Sequence, residues 1–227
     1  MRGLFVTGTD TGVGKTAVSC AIAAQARRSG ISLAVMKPAE TGCAPDAPED
    51  ALALVAAAGS TDPLDLVCPY RLPEPLAPAV AARRAGRTIS LGHIVDCARR
   101  LGADRPLLVE GAGGLLVPYT DAETTAELIE ALGLPVLVVG RAGLGTINHT
   151  TLTVEALASR SLTVRAVVLN RTHTERELSE EDNPAEIARL TGLEVFGPLP
   201  FIADPNARRD QLFVRADRKI DPLLWLG

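Results

Sequence analysis

Lysine is scarce in this 227-residue chain, with only Lys15, Lys37 and Lys219 among 23 basic residues. Aromatic residues make up 3%. No basic run exceeds two residues, and the arginine pairs (Arg27-Arg28, Arg83-Arg84, Arg99-Arg100, Arg208-Arg209) are scattered along the chain. A chain with so few stacking side chains, no cationic track and a pI near 5.5 does not read as a nucleic-acid binder. Cys20, Cys43, Cys68 and Cys97 form no C-x-x-C, and His93, His149 and His173 lie far apart, which argues against a zinc site. Four cysteines without a framework suit the reducing cytoplasm. The N-terminus holds no apolar stretch of signal-peptide length, and the strongest apolar run, Leu134 to Val139, is far too short to span a membrane. Disorder is excluded by 47% hydrophobic residues and a net charge of only -4.

What is present is a regular alternation. Strands are predicted at Leu4–Thr7, Ser32–Met36, Pro106–Val109, Val136–Val139, Val164–Leu169 and Val195–Leu199. Helices are predicted at Lys15–Arg28, Glu49–Ala58, Ala77–Arg84, Leu91–Leu101, Glu123–Leu132, Asn148–Ser159 and Ala185–Leu190. Residues 38–48 and 59–78 are proline-rich and read as loops, and Glu110 to Gly114 as a turn. Continuous apolar strands alternating with helices predict an α/β, doubly wound, mostly parallel sheet with helices on both faces, a three-layer sandwich. No change in composition divides residues 1–227, so one domain is expected.

The strongest motif is Gly8-Thr9-Asp10-Thr11-Gly12-Val13-Gly14-Lys15-Thr16, set between a strand and a helix. In that setting backbone N–H groups and the helix N-terminus cradle phosphates, a lysine reaches the β- and γ-phosphates, and a hydroxyl ligates magnesium. The spacing departs from the strict motif, with Thr9 where glycine is required and Gly8 one residue early. Partitioning-type ATPases, the alternative functional class, carry an extra lysine early in this loop where this chain has Asp10.

Several other residues carry candidate chemistry. Glu110 ends a strand before Gly111, Gly113 and Gly114, either to share magnesium with Thr16 or as a satisfied acid in a turn. Lys37 ends another strand, which puts a second cation over the same sheet edge, suited to charge on a transferred phosphoryl group. Its removal is expected to lower turnover greatly without unfolding the chain. Asp50 opens a helix and by default is its cap. Gly143 to Asn148 leads into a helix whose N–H groups could bind a carboxylate or simply be capped. Asn170 could read an adenine edge or form a turn.

Five blocks in register resemble one family. Val6 to Thr16, Lys37-Pro38, Asp50 to Leu54, Val109 to Gly114 and Leu144 to His149 are similar to the dethiobiotin synthetases, from about residue 3 to 206. The resemblance implies a P-loop NTPase-like fold and ATP-dependent closure of a cyclic urea on 7,8-diaminononanoate with carbon dioxide. It implies Lys15 and Lys37 as catalytic cations and Thr16, Asp50 and Glu110 as magnesium ligands. It places nucleotide on residues 12–17 (Gly12, Val13, Gly14, Lys15, Thr16, Ala17), on Asp50 and on Glu110, Gly111, Ala112 and Gly113. The base would lie by Asn170, Arg171, Pro200, Phe201, Ile202 and Asn206. Substrate would meet Thr11, Lys37, Thr41 and, from the neighbouring subunit of a homodimer, Gly145, Thr146, Ile147 and Asn148. Some members carry Glu where this chain has Gly12, and residues 203–206 align only with a small gap. A corrinoid-pathway amidating ligase would need an extra glutaminase domain, for which 227 residues leave no room.

Overall fold

The computed structural model describes residues 1–213 and 221–226. Six strands form one parallel sheet: β1 (Gly3–Gly8), β2 (Ala34–Met36), β5 (Leu107–Gly114), β6 (Val136–Arg141), β7 (Val164–Asn170) and β8 (Val195–Leu199), in the order β2-β5-β1-β6-β7-β8. β1, β2 and β6 are buried almost end to end, which explains their unbroken apolar sequences. The buried side chains join into one contiguous core.

Helix α1 (Lys15–Arg28) follows β1, and α2 (Glu49–Ala58) ends at Gly59 in the left-handed conformation, as the sequence predicts. α4 (Pro78–Arg84) and α5 (Leu91–Leu101) also match. Helix α6 (Thr125–Leu132) is held at its start by a capping box between Thr124 and Glu127, whose carboxyl this bonding keeps below the usual range. α7 (Thr146–Ser159) and α8 (Asn183–Thr191) complete the alternation.

Two expectations need correction. The two supposed loops contain β3 (Ala39–Thr41), α3 (Leu64–Val67) and β4 (Tyr70–Leu72), and β3 and β4 pair in a second, two-stranded parallel sheet. The supposed turn after Glu110 is strand, because β5 runs on through its glycines to Gly114. Beyond the predicted elements, Asn206 lies on a further helix, α9 (Pro205–Gln211), capped by Asp204. No helix among the described residues is long and apolar enough to cross a membrane.

Candidate active site

Strand register brings the charged residues together. β2 pairs with β5 so that Met36 faces Val109, which makes Lys37 and Glu110 neighbours just past that pair. β5 also flanks β1, placing both beside the loop that enters α1. Lys37 Nζ donates to Glu110 Oε1 at 2.5 Å and to Asp50 Oδ2 at 2.7 Å. Thr16 Oγ1 donates to the same Glu110 oxygen at 2.7 Å. Lys37 thus lies at the same sheet edge as Glu110, as the sequence suggested, but it is buried there rather than a surface cation: it is 4% exposed, and Glu110 is 0% exposed. Burial alone would lower the Lys37 pKa, but Glu110 and Asp50 more than reverse this and hold the ammonium charged. Burial likewise works to raise Asp50, and Lys37 overturns it, leaving that carboxyl below its usual range.

A buried ion pair costs desolvation that its attraction scarcely recovers, so its presence points to function rather than to stability. Removing Lys37 strands two carboxylates, so its loss is expected to carry a stability penalty as well as a loss of turnover.

Lys15 behaves differently. Its Nζ donates at 2.9 Å to the carbonyl of Asp10 in its own loop, and burial, then the nearby Lys37 charge, lower its pKa to about 8. Asp10 pairs with Arg141 at 2.8 Å. The loop has Gly12 and Gly14 at positive φ (75° and 96°), which frees its backbone to curl.

The default reading of Asp50 as a helix cap is also corrected. The α2 N-terminus makes no bond to a cap side chain of its own. Glu40, ten residues upstream on β3, accepts from the backbone N–H of Asp50 at 3.0 Å and of Ala51 at 2.9 Å. That clamp leaves the Asp50 carboxylate facing Lys37. Sequence reading missed Glu40 because the partner becomes adjacent only once β3 forms. Glu40→Ala is expected to lower stability by about 1–2 kcal/mol, the usual value of a lost cap, with Glu40→Gln losing less; matched denaturant titrations of the two variants check this.

Thr11, Gly12, Gly14, Lys15, Thr16, Ala17, Lys37, Thr41, Asp50, Glu110, Ala112 and Gly113 all line one cavity of about 560 Å³. Val13 and Gly111 are not in its lining, Val13 being buried and Gly111 backed by the Phe5 ring. Asn170, Arg171, Pro200, Phe201 and Ile202 line an adjoining cavity of about 200 Å³. There the Asn170 amide donates one of its two N–H groups to the Val13 carbonyl at 3.1 Å. The Arg171 guanidinium is engaged by buried Glu180 at 2.5 Å. Asn206 is exposed on α9 and lines neither cavity; Arg208, two residues on, lines both. Gly145, Thr146, Ile147 and Asn148 open α7 and also line neither, with Thr146 buried against Thr150.

The donors fit a hard divalent cation. They are all oxygen, and Glu110 Oε2 is buried with no hydrogen-bond partner. Among the described residues no cluster of three His, Cys, Asp or Glu could cage a metal. Two carboxylates and a hydroxyl instead suit magnesium, which keeps waters and takes phosphate oxygens.

Comparison with known proteins agrees with this geometry. A family model described as an AAA domain matches residues 2–209. An ATP-dependent dethiobiotin synthetase BioD of Anaeromyxobacter sp. (strain Fw109-5) is 55% identical, covering 97% of this chain and 99% of its own length. Its namesake in Bacillus cereus (strain 03BB102) is 40% identical over 93% of this chain and 88% of its own. Among solved structures, the MinC:MinD cell division protein complex of Aquifex aeolicus superposes with a TM-score of 0.58 at 15% identity, over 95% of this chain and 89% of that one; this likeness concerns the fold alone. With a phosphate loop entering α1, an acidic pair around a buried lysine, and relatives matched along nearly their whole length, the chain belongs to the ATP-dependent dethiobiotin synthetase family, ligases of biotin biosynthesis.

Proposed function

We propose that the chain, acting as one domain in the cytoplasm, converts 7,8-diaminononanoate, carbon dioxide and ATP into dethiobiotin, ADP and phosphate. One amine adds to carbon dioxide and loses a proton to give a carbamate. A carbamate oxygen attacks the γ-phosphorus and ADP leaves. The second amine then attacks the carbamoyl carbon, phosphate departs with that oxygen, and the cyclic urea closes.

The observation that carries this reading is the Lys37 ammonium, held charged between Glu110 and Asp50 inside the cavity that adjoins the phosphate loop. In that place it would stabilise negative charge on the carbamate and on the γ-phosphoryl in flight. Lys15 would turn from the Asp10 carbonyl to the β- and γ-phosphates, while backbone N–H groups of residues 12–17 wrap the chain of phosphates. Magnesium held by Thr16, Asp50 and Glu110 would neutralise phosphate oxygens. Thr11 and Thr41 line the same cavity and would hold substrate. The α7 start lines neither cavity, which favours its use by a second copy, and the exposed Leu116, Leu144 and Leu152 suit a homodimer.

Oxygen labelling tests the anhydride. With ¹⁸O-labelled carbon dioxide and rapid quenching, one labelled oxygen is expected in each phosphate released. Unlabelled phosphate, formed while dethiobiotin accumulates, would refute the carbamate attack.

A further inference from the structure

The two cavities share part of their lining, which marks the crossing between them. Lys15 and Thr16 line only the larger one, Asn170 and Pro200 only the smaller. Among the described residues Gly12, Gly14, Ala17 and Arg208 line both, and Arg208 alone of these carries a charge. The Arg208 side chain is held in place. Its Nε donates to the Ile202 carbonyl at 2.6 Å, its Nη2 donates to the Ala203 carbonyl at 3.2 Å, and its guanidinium carbon sits 5.9 Å from the centre of the Phe201 ring. Among the described residues no carboxylate pairs with it, and Nη1 has no hydrogen bond.

The inference rests on the reading that the larger cavity takes the β- and γ-phosphates and the smaller takes the base. A nucleotide spanning both must then lay its α-phosphate across the crossing, over Gly12 and Gly14. Opposite that point stands a cation held in a fixed plane by two backbone acceptors, with one donor nitrogen uncommitted. Guanidinium donors are well matched to phosphate oxygens, and pre-orientation reduces the ordering lost on binding. We propose that Arg208 is a nucleotide-binding residue of this chain and that its guanidinium takes the α-phosphate.

The test compares ATP, ADP, AMP and adenosine binding to the whole chain and to its Arg208→Gln and Arg208→Lys variants, by calorimetry in the same buffer. In Arg208→Gln, affinity for ATP, ADP and AMP is expected to fall at least about 10-fold, in keeping with loss of a charged hydrogen bond, while adenosine changes less than two-fold. Arg208→Lys, which keeps the charge and loses the planar fork, should fall between. In steady state the KM for ATP should rise and the KM for the diamine stay within two-fold. An equal loss for adenosine would overturn the proposal, since a base contact or a purely structural role predicts that pattern. Unchanged binding of all four ligands would overturn it as well. If the unmodified chain bound none of them, the functional reading itself would fall with it.

Discussion

Lys37→Ala is expected to cut diamine-dependent turnover by at least about 10²–10³-fold, the loss typical when one charge-stabilising donor is removed from a transition state. The same change should lower stability. Its ammonium neutralises the fully buried Glu110 and the half-buried Asp50, and breaking such a pair from one side costs about 3–5 kcal/mol. For a chain of this length that lowers the melting temperature by about 10 °C. The two losses are separable. Adding Glu110→Gln removes the more deeply buried of the two stranded charges, so Lys37→Ala/Glu110→Gln should regain part of the stability without regaining turnover. Thermal melts and phosphate-release assays of both variants make the check. Turnover within three-fold of the parent in Lys37→Ala would remove Lys37 from the mechanism.

The second large effect is expected at Gly14. Its φ of 96° lies in the left-handed region, where a side chain costs about 1–2 kcal/mol. A Cβ there would also stand 2.1 Å from Asn170 Nδ2, the amide that is bonded to the Val13 carbonyl. Gly14→Ala must therefore strain the loop and push a buried amide off its acceptor. Stability should fall by about 2–4 kcal/mol once the lost hydrogen bond is added, and ATP affinity by at least about 10-fold. In Gly14→Ala/Asn170→Ala the collision is gone and the strain remains, so part of the stability returns. Denaturant titration and nucleotide binding across the four members of this cycle measure the coupling. Additive effects would show that Asn170 does not brace the loop.

The contrast between Gly14 and Lys37 shows what was legible beforehand. The phosphate loop is local: nine consecutive residues between a strand and a helix declare it, and α1 begins at Lys15 as read. The strand ends carrying Lys37 and Glu110 were also visible, because buried parallel strands are plain apolar runs. Their mutual burial was not visible, since it depends on β2 and β5 lying side by side. Asp50 illustrates the same limit. An acid at a helix start usually caps it, yet Glu40 does so from a strand that is only three residues long and has no period to detect. The glycines after Glu110 suggested a turn, whereas β5 runs on to Gly114, with a shift of register against β1 and Gly113 at a φ of 62°. Arg208 was passed over for Asn206 because an exposed helix of seven residues near the end of the alternation gives little pattern to read.

The central claim is that one cavity joins carbon dioxide, a diamine and the γ-phosphate of ATP. Phosphate release from magnesium-ATP and bicarbonate, measured with and without 7,8-diaminononanoate and followed by mass analysis of the product, tests it most directly. The account predicts release that depends on the diamine, with one cyclic urea formed for each phosphate. Release that ignores the diamine, or a diamine recovered unchanged, would contradict it.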